Sequence, residues 1–309
     1  MRVFLTGGNG MVGQNFKAHE NAAQHTLIAP SRQQLDLRNF ADIIYFIKDC
    51  RPDIIIHAAG KVGGIKANVS DPYGFFNENL IIGQNVIGAA KECNVQRLVN
   101  LASSCIYPRN AKSPLKETDV LTGSLEPTNE GYALAKIAAL RLCEYISRQF
   151  GGIHYKTIIP CNLFGPFDKF DPVTGHLIPA IIRKIDDAVN KGHQAVTIWG
   201  DGTARREFMF AGDFAGLLWR ACEMFDSLPG VMNAGVGHDY SVKDYYEITA
   251  SVIGYHGQFV FDLSQPTGMI KKLTNCDLAS DWGWSAQVKL ADGIAQTYDY
   301  YKGDDLCTK

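Results

Sequence analysis

A glycine-rich turn directly behind the first apolar run constrains this chain more than any other feature. Val3-Phe4-Leu5 has the length and composition of a strand, and Thr6-Gly7-Gly8-Asn9-Gly10-Met11-Val12-Gly13 follows at once and opens a helical stretch. In a G-x-x-G-x-x-G arrangement of this kind, Gly7 permits the tight turn and Gly10 lets the backbone approach a pyrophosphate. Gly13 lets the helix pack close on the sheet. The helix start, with Met11 and Val12 in its first turn, then offers unpaired N–H donors to phosphate oxygens. Glycines also occur in plain turns, but the strand before and the helix after this one favour the dinucleotide-binding reading.

Four more strand-length apolar runs follow, at Thr26-Leu27-Ile28, Ile54-Ile55-Ile56, Leu98-Val99-Asn100-Leu101 and Thr157-Ile158-Ile159, separated by helix-length stretches. That alternation predicts a parallel sheet, and strands apolar on both faces predict helices on each side of it. The fold class expected is α/β, a doubly wound parallel sheet of the Rossmann kind with a smaller α/β substrate-binding lobe. Beyond about Pro160 the pattern loosens, with Gly165-Pro166, Asp171-Pro172 and Gly200-Asp201-Gly202 marking loops. The expected division is a cofactor-binding domain over residues 1–165, rejoined by segments near 196–235, and a substrate lobe mainly over 166–309, interleaved with it.

With 309 residues, 46% of them hydrophobic, the chain can bury a large core. A formal net charge of −2, without a run of like charge, gives no electrostatic case for nucleic acid or an anionic membrane. The eight cysteines (Cys50, Cys93, Cys105, Cys143, Cys161, Cys222, Cys276, Cys307) are scattered, without a CxxC pair, as reduced thiols are. Residues 1–6 run straight into a strand with no basic leader, and no stretch is apolar enough to span a membrane. A cytoplasmic location is expected, with no metal.

The second strand leads to Ser31-Arg32, where such folds bind the adenosine ribose. An acid there would suit the free hydroxyls of NAD; an arginine suits a 2′-phosphate through paired donors. NADP(H) is therefore expected, unless Arg32 is a solvated surface residue. Asp36 and Leu37 come later and are expected on the adenine side.

Gly131-Tyr132-Ala133-Leu134-Ala135-Lys136 places a tyrosine and a lysine four apart in a helical segment, on one face. An ammonium beside the phenol is expected to draw its pKa from roughly 10 toward working pH, making Tyr132 a proton donor. The strand ending at Leu101 delivers Ala102-Ser103-Ser104-Cys105-Ile106-Tyr107 to the carboxyl edge of the sheet, where ligands of such folds bind. Ser103 or Ser104 could hydrogen-bond a substrate carbonyl there. A YxxxK pair alone is commonly just an exposed salt-bridge face; the upstream serines and the glycine turn, in this chain order, argue otherwise.

At these residues the chain resembles the extended short-chain dehydrogenases/reductases and, among them, the GDP-L-fucose synthase family, whose members are GDP-4-keto-6-deoxymannose 3,5-epimerases/4-reductases. Carrying the resemblance are Lys61-Val62-Gly63-Gly64-Ile65, Ser103-Ser104-Cys105-Ile106-Tyr107-Pro108, and Leu125-Glu126-Pro127-Thr128-Asn129-Glu130 leading into Tyr132. So do Asn162-Leu163-Phe164-Gly165-Pro166, Gly175-His176-Leu177-Ile178-Pro179, Trp199-Gly200-Asp201-Gly202-Thr203 and Arg206-Glu207-Phe208. The resemblance implies a reductase triad of Ser103, Tyr132 and Lys136, with Cys105 and His176 as base and acid of epimerisation. It implies cofactor contacts at Gly7, Gly10, Met11, Val12, Gly13, Arg32, Asp36, Leu37, Ala58, Ala59, Lys136, Pro160, Asn162, Leu163 and His176. Substrate contacts are implied at Ser104, Asn162, Lys184, Trp199, Arg206 and Lys272. Each has a plainer alternative: His176 as a helix-start surface residue, Cys105 as a small buried hydrophobe, Trp199 as core.

Two departures from the family pattern stand out. Asn9 occupies a position that is usually basic, so NADP preference rests on Arg32. Thr267 replaces an aspartate in Pro266-Thr267-Gly268, while Lys272 is retained, which bears on the sugar. The implied activity is NADPH-dependent reduction at carbon 4 of a GDP-linked 4-keto-6-deoxy sugar with 3,5- or 5-epimerisation in one site, by a homodimer. The alternatives are a carbon-4 reductase acting on an already epimerised heptose or dideoxyhexose, and a non-catalytic NADP(H)-binding sensor, which would not be expected to keep the Tyr/Lys pair. A dehydratase would carry an acid where Cys105-Ile106 stands.

Overall fold

The computed structural model describes residues 1–171, 175–264 and 270–307. The chain runs β1 (Arg2–Thr6), α1 (Met11–Ala18), β2 (Thr26–Ile28), α2 (Phe40–Cys50), β3 (Ile54–His57), α3 (Ile65–Ser70), α4 (Pro72–Glu92), β4 (Arg97–Leu101), α5 (Glu130–Gln149) and β5 (His154–Pro160). It continues through β6 (Asn162–Phe164), α6 (Leu177–Lys191), β7 (Ala195–Trp199), β8 (Arg205–Arg206), β9 (Phe208–Phe210), α7 (Ala211–Glu223) and β10 (Val231–Ala234). The last elements are β11 (Tyr240–Ser241), α8 (Val242–Ile253), β12 (Gln258–Asp262), β13 (Lys271–Lys272), α9 (Asp277–Asp281) and α10 (Leu290–Cys307).

Six strands form the central sheet in the order β10-β5-β4-β3-β1-β2, every pairing parallel. All five apolar runs noted in the sequence are in it. Alternate side chains along each strand enter different cores: Val3, Leu5, Ile54, Ile56, Val99 and Leu101 pack with Phe214, Leu217, Leu218 and Trp219 of α7. Phe4, Ile55 and Leu98 pack with Ile43, Ile47, Val86, Ile87 and Cys143 of α2, α4 and α5. A strand with period-two side chains and apolar residues at every position can bury them only between two helical layers, which is the doubly wound arrangement.

The strand order reverses at β1, which has β2 on one side and β3 on the other. Ligands of open parallel sheets bind beyond the carboxyl ends of the strands at such a switch point. The sixth strand comes from far along the chain: β10 pairs with β5, Val231 opposite Thr157, and α7 before it covers the sheet beside α1. A third core joins α6, α8 and α10 around Ile181, Ile182, Ile185, Tyr245, Tyr246 and Ile294, with Val196 and Ile198 of β7. There β7 pairs with β12, and the short β8 lies between β11 and β13.

Candidate active site

At the switch point Gly7 adopts φ +74°, and a Cβ there would stand 2.8 Å from the backbone of Ala58 and Ala59. The turn therefore closes directly on the end of β3. A Cβ on Gly13 would overlap the Gly7 carbonyl oxygen, so α1 packs against the turn only as glycine. Gly10 differs: its Cβ would meet nothing nearer than that oxygen at 3.5 Å. Gly10 also caps α1 without any side-chain hydrogen bond, leaving the first N–H groups of the helix for an anion. This is a cradle of the size and polarity a dinucleotide pyrophosphate needs.

The Ala59 N–H donates to Thr6 Oγ1 at 3.2 Å, and Thr6 Oγ1 lies 2.8 Å from Nδ1 of the buried His57. With the oxygen accepting from Ala59, the hydroxyl proton is free to point at Nδ1. Burial, and then the Lys136 charge, hold the imidazole neutral, its pKa lowered to about 3. Beyond β2 Arg32 is largely exposed and donates to Glu78 Oε1 at 3.3 Å. Asp36 is gripped by Arg38, whose Nε lies 2.9 and 3.1 Å from its two oxygens and whose Nη2 lies 2.6 Å from Oδ2. That grip lowers the Asp36 carboxyl to about 2, with Arg32 adding a smaller pull in the same direction.

Beyond β4, Ser103 caps a short 3-10 turn over Ser104–Ile106, its Oγ accepting from Cys105 N at 3.5 Å. Tyr132 and Lys136 are one turn apart on α5, which packs on that turn. The Lys136 ammonium donates to the Leu101 carbonyl at 2.9 Å and lies 5.8 Å from the Tyr132 ring centroid. The expectation that this ammonium draws the phenol toward working pH is corrected here. Burial pushes Tyr132 above its ordinary value, with Cys105 adding to the rise and a Ser103 hydrogen bond opposing it. Burial also depresses Lys136, to about 8. Desolvation is the largest cause of the shift in each group.

Cys105 is buried, and burial likewise raises its thiol; Lys272, Ser103 and Lys136 pull the other way. His176, the acid that the resemblance implies, has its Nδ1 3.4 Å from Asp168 Oδ1. Ser103 is the serine tied to Tyr132 and Cys105, while Ser104 is packed beside it at 3% exposure.

The far wall is held by Glu207, 1% exposed. Its Oε1 accepts from Val236 N and Gly237 N at 2.8 and 2.9 Å, and its Oε2 from Thr274 N and Oγ1 at 2.8 and 2.7 Å. This clamp fixes β8 with Arg206 and β13 with Lys272, which pair in register. The Glu207 carbonyl accepts from Asn162 Nδ2 at 2.8 Å, and Leu163 packs on the first core. Arg206 and Lys272 are both depressed by burial; Tyr245 and Glu126 oppose this at Arg206, and Cys105 opposes it at Lys272 while Arg206 adds to it. Pro160 ends β5 in the same wall.

Trp199, 38% exposed at the end of β7, carries two ammoniums over its ring: Lys184 at 4.7 Å and Lys66 at 4.2 Å. Lys184 also donates to Tyr246 Oη at 3.2 Å, and its pKa is lowered by burial and then by Lys66. Sequence reading therefore missed Lys66, Arg38, His57 and Asp168. Lys66 and Arg38 were adjacent to motifs already singled out, and only their spatial partners give them significance. Residues 266–269, with Thr267, lie outside the described part of the chain.

Relatives place this geometry in context. A GDP-L-colitose synthase of Yersinia pseudotuberculosis is 48% identical over 301 residues, 97% of this chain and 98% of the relative. A GDP-L-fucose synthase of Azorhizobium caulinodans is 48% identical over 300 residues, 97% and 96% of the two chains. Among solved structures, a GDP-mannoheptose C4 reductase from Campylobacter jejuni with NADP bound superposes with a TM-score of 0.87 at 30% identity, covering 97% of this chain and 98% of that one. The model of the NAD dependent epimerase/dehydratase family matches residues 3–235, three quarters of the sequence, and with the glycine cradle and the Tyr132–Lys136 pair in place the chain belongs to that family.

Proposed function

We propose that this protein is an NADPH-dependent enzyme that reduces carbon 4 of a GDP-linked 4-keto-6-deoxy sugar and inverts carbon 5, or carbons 3 and 5, in the same site. The observation that carries the reading is the meeting of Ser103, Tyr132, Lys136, Cys105 and Lys272 at the carboxyl edge of the sheet. Both 48%-identical relatives are named as synthases of GDP-L-sugars, and the L descriptor of a hexose is set at carbon 5. Making an L sugar from a D-configured ketone therefore demands inversion there.

The cradle of Gly7, Gly10, Met11, Val12 and Gly13 suits a pyrophosphate, with Ala58 and Ala59 closing it. Arg32 and Arg38 suit a 2′-phosphate, and Asp36 and Leu37 the adenosine beside it. Lys136, Pro160, Asn162, Leu163 and His176 would line the nicotinamide end, and NADPH, when bound, supplies the hydride. Tyr132 gives its proton to the ketone oxygen while Ser103 holds that oxygen; the Lys136 charge keeps the developing phenolate tolerable. Cys105 takes a proton from a carbon beside the ketone and His176 returns one to the opposite face. Lys184, Lys66 and Arg206 suit the diphosphate and Trp199 the nucleoside, with Lys272, Asn162 and Ser104 nearest the sugar.

Reduction alone is the second reading, favoured by the Campylobacter neighbour, named a C4 reductase, and by the burial that raises Cys105. Incubation with NADPH and GDP-4-keto-6-deoxymannose in deuterated water separates the two. Deuterium at carbon 5 of the NMR-solved product is expected; reduction without it sinks the epimerase half, and no NADPH oxidation sinks the whole.

We also propose a homodimer through α4 and α5, where Tyr73, Leu134 and Tyr145 are exposed, and a cytoplasmic location. The seven described cysteines are free thiols, and among the described residues no helix is long and apolar enough to cross a membrane. Disulfides trapped by alkylation during cell lysis would refute that location.

A further inference from the structure

His176 caps α6 from the loop that follows β6, and its side chain is 41% exposed. Asp168, eight residues earlier in that loop, is 4% exposed. Its Oδ1 accepts from the Lys169 N–H at 2.8 Å and faces His176 Nδ1 at 3.4 Å. Its Oδ2 is buried without a hydrogen-bond partner among the described residues. Burying a carboxylate with one oxygen unpaired costs stability, of order 1–3 kcal/mol for an unsatisfied group and more when charged. The turn at Lys169 needs only Oδ1, so local folding does not account for a buried charge at this place.

A histidine with one nitrogen engaged by a carboxylate has its ring orientation and its other nitrogen defined. At 3.4 Å the contact is long, as catalytic contacts commonly are before substrate tightens them. The charged groups facing His176 are Asp168 and Lys169; the hydrogen bond and charge of Asp168 raise the imidazole toward its protonated form, against burial and the Lys169 ammonium.

We propose that Asp168 is the positioning residue for the inversion step, holding Nδ1–H of His176 so that Nε2–H is aimed at the carbon being inverted. This rests on the epimerase reading above. The Cys105 thiolate breaks one C–H bond and becomes a thiol; the new C–H bond on the opposite face takes its proton from Nε2. The imidazolium is left as neutral imidazole with Nδ1–H still on Asp168, and solvent restores the proton to His176 and removes the one on Cys105. Nothing is oxidised or reduced in this step.

The test uses the full-length enzyme with Asp168→Asn and Asp168→Glu, their folding checked by circular dichroism and NADPH binding. Titration of His176 by ring-nitrogen NMR is expected to give a lower pKa in Asp168→Asn, with recovery in Asp168→Glu. Deuterium incorporation from solvent at carbon 5 of GDP-4-keto-6-deoxymannose is expected to fall at least about tenfold more than the rate of ketone reduction. Its alkaline limb should move to lower pH in step with the His176 titration. If wild-type enzyme incorporates deuterium and Asp168→Asn matches it in rate and in His176 pKa, the role of Asp168 is overturned alone. If wild-type incorporates none, the epimerase reading falls and this role falls with it.

Discussion

Tyr132 and Lys136 sit one helical turn apart, yet their mutual attraction does not set their protonation. Desolvation raises the phenol and lowers the ammonium to about 8. For ketone reduction both groups are needed in their protonated forms. The ammonium is present below about pH 8 and lost above it, so kcat should hold through neutral pH and decline as pH passes that value. Lys136→Arg, which cannot lose its charge in this range, should move the decline to higher pH. A wild-type profile flat to pH 10 would count against Lys136 as the titrating group. Tyr132→Phe keeps the ring and its edge contact with Phe75, centroids 6.4 Å apart. It should cost about 10²- to 10⁴-fold in turnover with little change in melting temperature, and near-normal turnover would mean that another group is the acid.

At the scale of elements, Glu207 decides where β8 and β13 stand. Short strands of two residues such as β8 and β13 have little to hold them but their ends, and one buried carboxylate fastens both to the chain leaving β10. Glu207→Gln turns one acceptor into a donor facing the N–H groups that the carboxylate holds, Val236 N and Gly237 N or Thr274 N. With an unsatisfied group costing about 1–3 kcal/mol, a loss of that order is expected. Urea denaturation followed by tryptophan fluorescence measures it, and a midpoint equal to wild type would show that the clamp is dispensable. The glycine turn acts at the same scale: its closeness to Ala58 and Ala59 couples the cofactor end of α1 to the end of β3.

For the molecule as a whole, the exposed face of α5 bears Leu134, Ala138 and Tyr145, which recur at helical spacing on one side while the other side is buried in the second core. Tyr73 lies at the start of the neighbouring α4. Sedimentation equilibrium should give twice the mass of one chain for the wild type. Leu134→Glu with Tyr145→Glu should give the mass of one, since two charges in an apolar contact are costly to bury. Wild-type protein sedimenting as a single chain would remove the dimer.

The five apolar runs, the glycine turn and the Tyr/Lys spacing were legible in the sequence because each is local: period-two burial, positive φ at Gly7 and a shared helical face are all settled within a few residues. Other features exist only once distant segments meet. Val231–Ala234 becomes the sixth strand by pairing with β5, some seventy residues earlier. Lys272 comes within charge range of Cys105, and Lys66 reaches Trp199, across separations about twice as long. Asp168 is near His176 in sequence, but its value depends on burial, which no spacing reveals. The reversed expectation at Tyr132 has the same origin. Sequence determined which chemical groups stand at which elements; the tertiary structure decided how much water each one loses, and that loss decides how readily it carries its charge.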